Sequence, residues 1–193
     1  MKNSRTAYVI LGMLSLAPKG SGYELHKAIE ENFGSFWGES YGQIYPSLKQ
    51  LAAEGLIEPV KPEASLKKRR QEYALTEAGR ASLREWLANP FQNDPPRNEF
   101  MLKLFFCRQA APGVALKHVR ELNERNRRML ATLEGIEKMA RAYQSKDPNL
   151  PYWMLTLGLG LAMTRAALDW GESALIELAT LEPSAVDPNS RES

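Results

Sequence analysis

The chain has 193 residues, 44% of them hydrophobic and 25% charged, and carries a formal net charge of +2. Those proportions belong to an ordinary soluble protein of one or two domains with a real core, and a balance this even gives no bulk signal for binding nucleic acid. The single cysteine, Cys107, excludes an internal disulfide framework and a thiolate zinc site built within one chain, so a reducing, cytoplasmic setting is expected.

From Ser4 to Leu16 the apolar residues Ala7, Val9, Ile10, Leu11, Met13, Leu14 and Leu16 cover most of a helical wheel, which describes a helix buried on more than one side. Met1 to Arg5 leads into it without a small-residue cleavage site, so no secretory leader is expected. Pro18-Lys19-Gly20 stops the helix. Ser21 followed three residues later by Glu24 has the spacing of a capping box and opens a second helix, SGYELHKAIEENF. A short turn, GSFWGE, leads to a second box, Ser40 with Gln43, which starts a third helix at Tyr41. Ile44, Leu48 and Leu51 give that helix one apolar stripe, and Gly55 stands where it should end. Pro46 lies inside it, where it deletes one backbone hydrogen bond and crowds the preceding turn. Two helices joined by a short turn, the second with a small, polar outer face, make a helix-turn-helix.

Next come LIEPVK and QEYALT, two β-prone runs on either side of a basic loop. The loop concentrates charge that the composition hides: Lys61, Lys67, Lys68, Arg69 and Arg70 face only Glu63. Thr76 then caps a helix that ends at Asn89-Pro90. The order helix, helix, helix, hairpin, helix is that of a winged helix-turn-helix domain with one extra helix. Its expected span is residues 1–90, with a proline-bearing linker at 91–97.

The second half changes character. EFMLKLFFCRQ, Glu99 to Gln109, reads as a short apolar helix stopped by Pro112-Gly113. Val119, Leu122, Asn126, Met129, Leu133, Ile136, Ala140 and Tyr143 then alternate in steps of three and four, a heptad seam that calls for a helical partner. A second copy of the chain is the favoured partner, with Asn126 fixing register, and packing against the last helix is the alternative. That last helix runs from Tyr152 to about Leu181 and is rich in small residues. Its apolar stretch from Tyr152 to Met163 is only 12 residues, too short to cross a bilayer, which needs roughly 20. Residues 98–182 are therefore expected to form a helical dimerisation domain, and 183–193 a disordered tail. The fold class is mainly α with a small β-hairpin wing.

The runs GYELHKAIE, FWGESYGQIYPSLKQLAAEGLIE and YALTEAGRASLREWL resemble the N-terminal domain of PadR-family transcriptional regulators. The second half, with EFMLKLFF and Trp170, resembles that family's larger, virulence-activator-type C-terminal domain. The resemblance covers roughly residues 5 to 180, and QIYPSLKQLAAEGLI is its most specific part. It implies a homodimer that binds a roughly palindromic double-stranded DNA operator, usually as a repressor, sometimes answering a small aromatic compound.

On that reading the helix from Tyr41 enters a major groove, where Gln43, Lys49 and Gln50 can reach base edges or phosphates. Ser40 and Tyr41 lie near a phosphate, with Tyr45 on the same helix; otherwise Ser40 is only a cap and the two tyrosines only pack. Lys67, Lys68, Arg69 and Arg70 at the wing tip suit phosphate or an adjacent minor groove. Aromatic residues such as Trp37, Trp153, Trp170, Phe105, Phe106 and Tyr152 offer surface for an effector but at helical spacing read as core, so no ligand residue is assigned. Nothing favours an enzyme, a metal or a cofactor. His26 and His118 are isolated from other ligands, Cys107 sits in an apolar stretch, and no phosphate loop, nucleophile elbow or zinc helix motif occurs. The competing function is a winged-helix module that binds protein through the same surface.

Overall fold

The computed structural model describes residues 4–33, 39–60, 70–91, 98–142 and 147–181. The chain divides into two compact units, Met1–Asp94 and Pro95–Ser193. In the first, α1 (Arg5–Leu16) is the hub on which α2 (Gly22–Phe33), α3 (Tyr41–Ala53) and α4 (Glu77–Ala88) pack. Ile10, Leu11 and Leu14 of α1 meet Ile29, Ile44, Leu48, Leu51 and Ile57, all at most 1% exposed. Each side chain buried so completely contributes about 1.5–3 kcal/mol of transfer free energy, which is why the stripe Ile44, Leu48 and Leu51 fixes the rotation of α3 about its axis. Tyr8 stacks on Trp86 with ring centroids 4.7 Å apart, tying α1 to α4.

The wing is a three-stranded antiparallel sheet rather than a two-stranded hairpin. Strand β3 (Glu72–Leu75) lies between β2 (Ile57–Pro59) and β1 (Gly20–Ser21), with Gly20 opposite Tyr73 and Ile57 opposite Leu75. Gly20-Ser21, shortly after the end of α1, thus forms an outer strand of the sheet. A Lys19–Glu72 ion pair of 2.8 Å reinforces that edge. Lys67, Lys68 and Arg69 lie outside the described residues.

In the second unit α5 (Glu99–Phe105) is shorter than the sequence suggests. Its last turn tightens into a 3-10 turn at Cys107–Gln109. Helices α6 (Val114–Ala142) and α7 (Leu150–Leu181) run antiparallel along each other. Arg127–Glu172 (3.5 Å) and Arg165–Glu134 (3.0 Å) bridge their edges. The heptad seam is used at least partly inside the chain: Val119 and Leu133 are buried, while Leu122, Asn126, Met129 and Ala140 are half-buried. Ile136 is exposed and Tyr143 lies outside the described residues. The fully buried polar position is Asn123, one turn before Asn126. Its amide packs against Gly171 of α7, where any Cβ would overlap Oδ1. Neither Asn123 Nδ2 nor Oδ1, nor Asn126 Nδ2, has a hydrogen-bond partner among the described residues.

Candidate nucleic-acid interface

Four local devices set the position of α3. Glu39, immediately before its cap, is buried and accepts a 3.1 Å hydrogen bond from the buried Thr6 hydroxyl, fastening the start of α3 to α1. Ser40 is the N-cap. Its N–H and its hydroxyl both donate to Gln43 Oε1 at 3.0 Å. At the other end Gly55 has φ of +70°, the left-handed conformation a glycine adopts without penalty. The Leu56 N–H then donates to the Leu51 carbonyl (2.9 Å) and the Gly55 N–H to Ala52 (3.1 Å), which closes the helix in a Schellman motif. Thr76 joins this end to α4, since its hydroxyl donates to the Gly55 and Leu56 carbonyls at 2.8 and 2.9 Å.

The face of α3 turned away from this core carries Tyr41, Gly42, Gln43, Tyr45, Pro46, Lys49 and Gln50, all exposed. Two of the polar groups are engaged at home: the Gln43 oxygen serves the cap, and Gln50 Nε2 donates to Glu54 Oε1 at 2.9 Å. Both bonds are at the solvent-exposed surface and are worth little net, so a better partner can displace them. Lys49 stands in the centre of the face. Pro46 lies in the second turn with its ring exposed, so the bond it lacks would have gone to Gly42, also on the exposed side.

Tyr41 and Tyr45 pack and are exposed at once. Tyr41 stacks flat on His26 of α2, centroids 3.8 Å apart and planes 9° from parallel, yet remains 42% exposed. The Tyr45 ring lies over Gly22, where a Cβ would come within 2.8 Å of Cε1, and is 46% exposed. Arg70, the one wing cation among the described residues, sits with Cζ 4.0 Å from the Tyr23 ring centroid on α2. The N-terminus of α2 is held by a capping box in which the Ser21 N–H donates to Glu24 Oε2 at 2.9 Å and the hydroxyl at 2.7 Å. Those two bonds, backbone first, hold the Glu24 carboxyl below the usual glutamate range, with Arg70 and Lys19 adding to the effect. The arrangement is a surface of neutral donors, aromatic edges and scattered cations.

Comparison with known proteins gives this surface its context. Residues 10–85 match the model of the transcriptional regulator PadR-like family, and residues 96–179 match the virulence activator alpha C-terminal model. The negative transcriptional regulator PadR of Bacillus subtilis is 31% identical over 176 residues, spanning 87% of this chain and 94% of that protein. The chain belongs to the PadR-like family of transcriptional regulators. Crystal structures of Bacillus subtilis PadR match it in two states. The complex with operator DNA has a TM-score of 0.77 at 29% identity, covering 89% of this chain and 98% of that one. The complex with p-coumaric acid has a TM-score of 0.72 at 26% identity, covering 92% and 98%. The match supports the mainly helical winged helix-turn-helix fold read from the sequence.

In this PadR-like chain the second unit carries a different kind of surface. Tyr152, Leu155, Leu159, Met163 and Trp170 follow one another on α7 at steps of three, four, four and seven, and range from 44% to 72% exposed. Phe100 of α5 meets Trp170 edge-on at 5.9 Å. A shallow recess of about 450 Å³ opens between α5, the 3-10 turn and the start of α6, lined by Leu102, Phe106, Cys107 and Val114 with Lys103 and His118 at its edge. Cys107 is half-buried there. No helix among the described residues is long and apolar enough to cross a membrane. Nor is any group of three or more metal-ligating side chains found among those residues.

Proposed function

We propose that the chain is a homodimeric repressor that reads a roughly palindromic operator with α3 and grips adjacent backbone with the wing, and that a small aromatic compound releases it. The observation that carries the proposal is the exposed outer face of α3. It is capped by Ser40, closed by Gly55 and anchored through Glu39, and it presents Gln43, Lys49 and Gln50 with Tyr41 and Tyr45 beside them. Glutamine amides suit adenine and lysine suits guanine or phosphate. The wing cations Lys67, Lys68, Arg69 and Arg70 supply contacts that do not depend on sequence.

A second copy of the chain supplies the other half-site. The exposed apolar stripe on α7 supports this reading, because a helix apolar on the side away from α6 needs a cover, and a two-fold partner brings an identical stripe. The seam residues of α6 then contribute to the dimer what α7 leaves uncovered, Ile136 above all. Effector release rests on the family and on the p-coumaric acid complex of the Bacillus subtilis protein. The winged-helix module that binds protein is less well supported, since basic residues cluster at the wing.

The test is binding of the full chain to the duplex upstream of its own gene and to a scrambled duplex, titrated with salt. Tighter binding to the first, weakening steeply with salt, is expected. Equal and weak binding to both would overturn the proposal.

A further inference from the structure

We infer that His26 of α2 is a positioning residue for DNA recognition, acting through the ring of Tyr41. The inference rests on the reading of α3 as the recognition helix and adds to it a residue on a helix that does not itself enter the groove.

Residues 22 and 26 of α2 lie one helical turn apart, as do 41 and 45 of α3. The two ridges meet pairwise: the Tyr45 ring covers Gly22 and the Tyr41 ring covers His26. At the Gly22 end the fit is close and the contact reaches Leu48 of the core, with Cδ1 3.1 Å from where a Cβ would stand. At the His26 end the contact is ring on ring. The imidazole is half-buried and the Tyr41 ring 42% exposed, so the stack stands at the surface, at the first residue of α3.

A tyrosine at the first turn of a helix has rotamer freedom unless something holds it. A parallel aromatic plane 3.8 Å away removes that freedom and holds a partly exposed ring on the first residue of the helix, where the N–H groups of the first turn favour an anion. Tyr23, three residues before His26, lies under Arg70 in the same way, so α2 braces both the start of α3 and the end of the wing. An aromatic pair of this kind adds only modestly to the stability of the fold. Its effect falls on the state that needs the ring in place, which here is the DNA complex.

The test measures operator affinity for the wild type and for H26A, Y41A, H26F and the double variant H26A/Y41A, with thermal melts of each. H26A is expected to weaken operator binding roughly three- to tenfold while the melting temperature falls by no more than a few degrees. H26F, which keeps a flat ring, restores most of the loss. In the Y41A background H26A has no further effect, and the salt slope of H26A equals that of the wild type. Additive losses in the cycle, or a slope that falls with H26A, would overturn the inference, the latter by making His26 a phosphate contact itself. So would a lower melting temperature with unchanged affinity. If the wild type fails to prefer its operator, or if K49A/Q50A binds as the wild type does, the reading of α3 fails instead, and the two failures are thereby told apart.

Discussion

Gly79 sits in the first turn of α4, where alanine would ordinarily be preferred over glycine by about 1 kcal/mol. Its surroundings reverse the sign. A Cβ at this position would overlap the carbonyl oxygen of Leu56, with the carbonyl carbon at 3.0 Å and Leu75 Cδ1 at 2.7 Å. The obstacle is backbone, and it is pinned: the Leu56 carbonyl accepts from the Thr76 N–H at 3.2 Å and from the Thr76 hydroxyl at 2.9 Å. Moving it by the necessary ångström adds overpacking strain of about 1–3 kcal/mol. It also weakens two hydrogen bonds, each contributing about 1 kcal/mol net. Set against the helix-propensity gain, Gly79→Ala should destabilise the first unit by about 2–4 kcal/mol, lowering its melting temperature by on the order of 10–20 °C. Gly135 of α6 is the control, because nothing lies within 4 Å of its Cβ position, and Gly135→Ala should be neutral or stabilising. Thermal and urea unfolding followed by circular dichroism compares the two. A Gly79→Ala protein as stable as the wild type would refute the claim that α4, the end of α3 and the start of β2 are locked at this joint.

Other consequences can be checked independently. Gly171→Ala would drive a Cβ into the Asn123 amide and should destabilise the second unit by about 1–3 kcal/mol in urea unfolding; unchanged stability would show that α6 and α7 are not packed so closely at this point. Glu24 has a depressed folded-state pKa, so its contribution is present above the unfolded value near about 4.3 and disappears as pH falls through the folded value. Because the group is largely exposed the effect is below about 1 kcal/mol, and Glu24→Gln should lower stability at pH 7 but make no difference near pH 2. Leu155→Glu with Met163→Glu places charge in the exposed α7 stripe and should give a monomer in sedimentation at micromolar concentration, whereas a persistent dimer would move the interface elsewhere. Neutralising Lys67, Lys68, Arg69 and Arg70 should flatten the salt dependence of DNA binding by about 0.9 for each phosphate that is no longer neutralised, on any sequence, and an unaltered slope would remove the wing from the interface.

What could be read in the sequence was what local chemistry decides. Ser21 with Glu24, Ser40 with Gln43, Thr76 and Gly55 mark helix ends because each satisfies backbone groups within three or four residues, and the structure places each at a helix end. The stripe Ile44, Leu48 and Leu51 is likewise buried as its spacing indicates. What depended on distant pairing was not legible. Strand β1 is two residues long and exists only because Gly20 and Ser21 meet Tyr73 and Glu72, far along the chain. The seam of α6 was visible as a period, but the period does not say that α7 of the same chain covers part of it. Nor does it say that Asn123 rather than Asn126 lies deepest. That choice follows from Gly171, whose missing Cβ leaves room for an amide. The stack of His26 on Tyr41 was equally hidden, since two residues on different helices give no joint periodicity. Gln43 shows the opposite limit. One residue served two readings, cap and groove contact, and in the structure its oxygen is on the cap.

One competition experiment separates sequence reading by α3 from backbone grip by the wing. Fluorescence anisotropy of the full chain on its labelled upstream duplex is measured with unlabelled operator or scrambled duplex as competitor, for the wild type, for K49A/Q50A, and for the chain with its four wing cations neutralised. K49A/Q50A should lose the preference for operator over scrambled DNA while keeping weak binding to both, and the wing variant should lose affinity for both equally with its preference intact. A K49A/Q50A protein that still selects its operator as the wild type does would contradict the assignment of α3 as the reading helix.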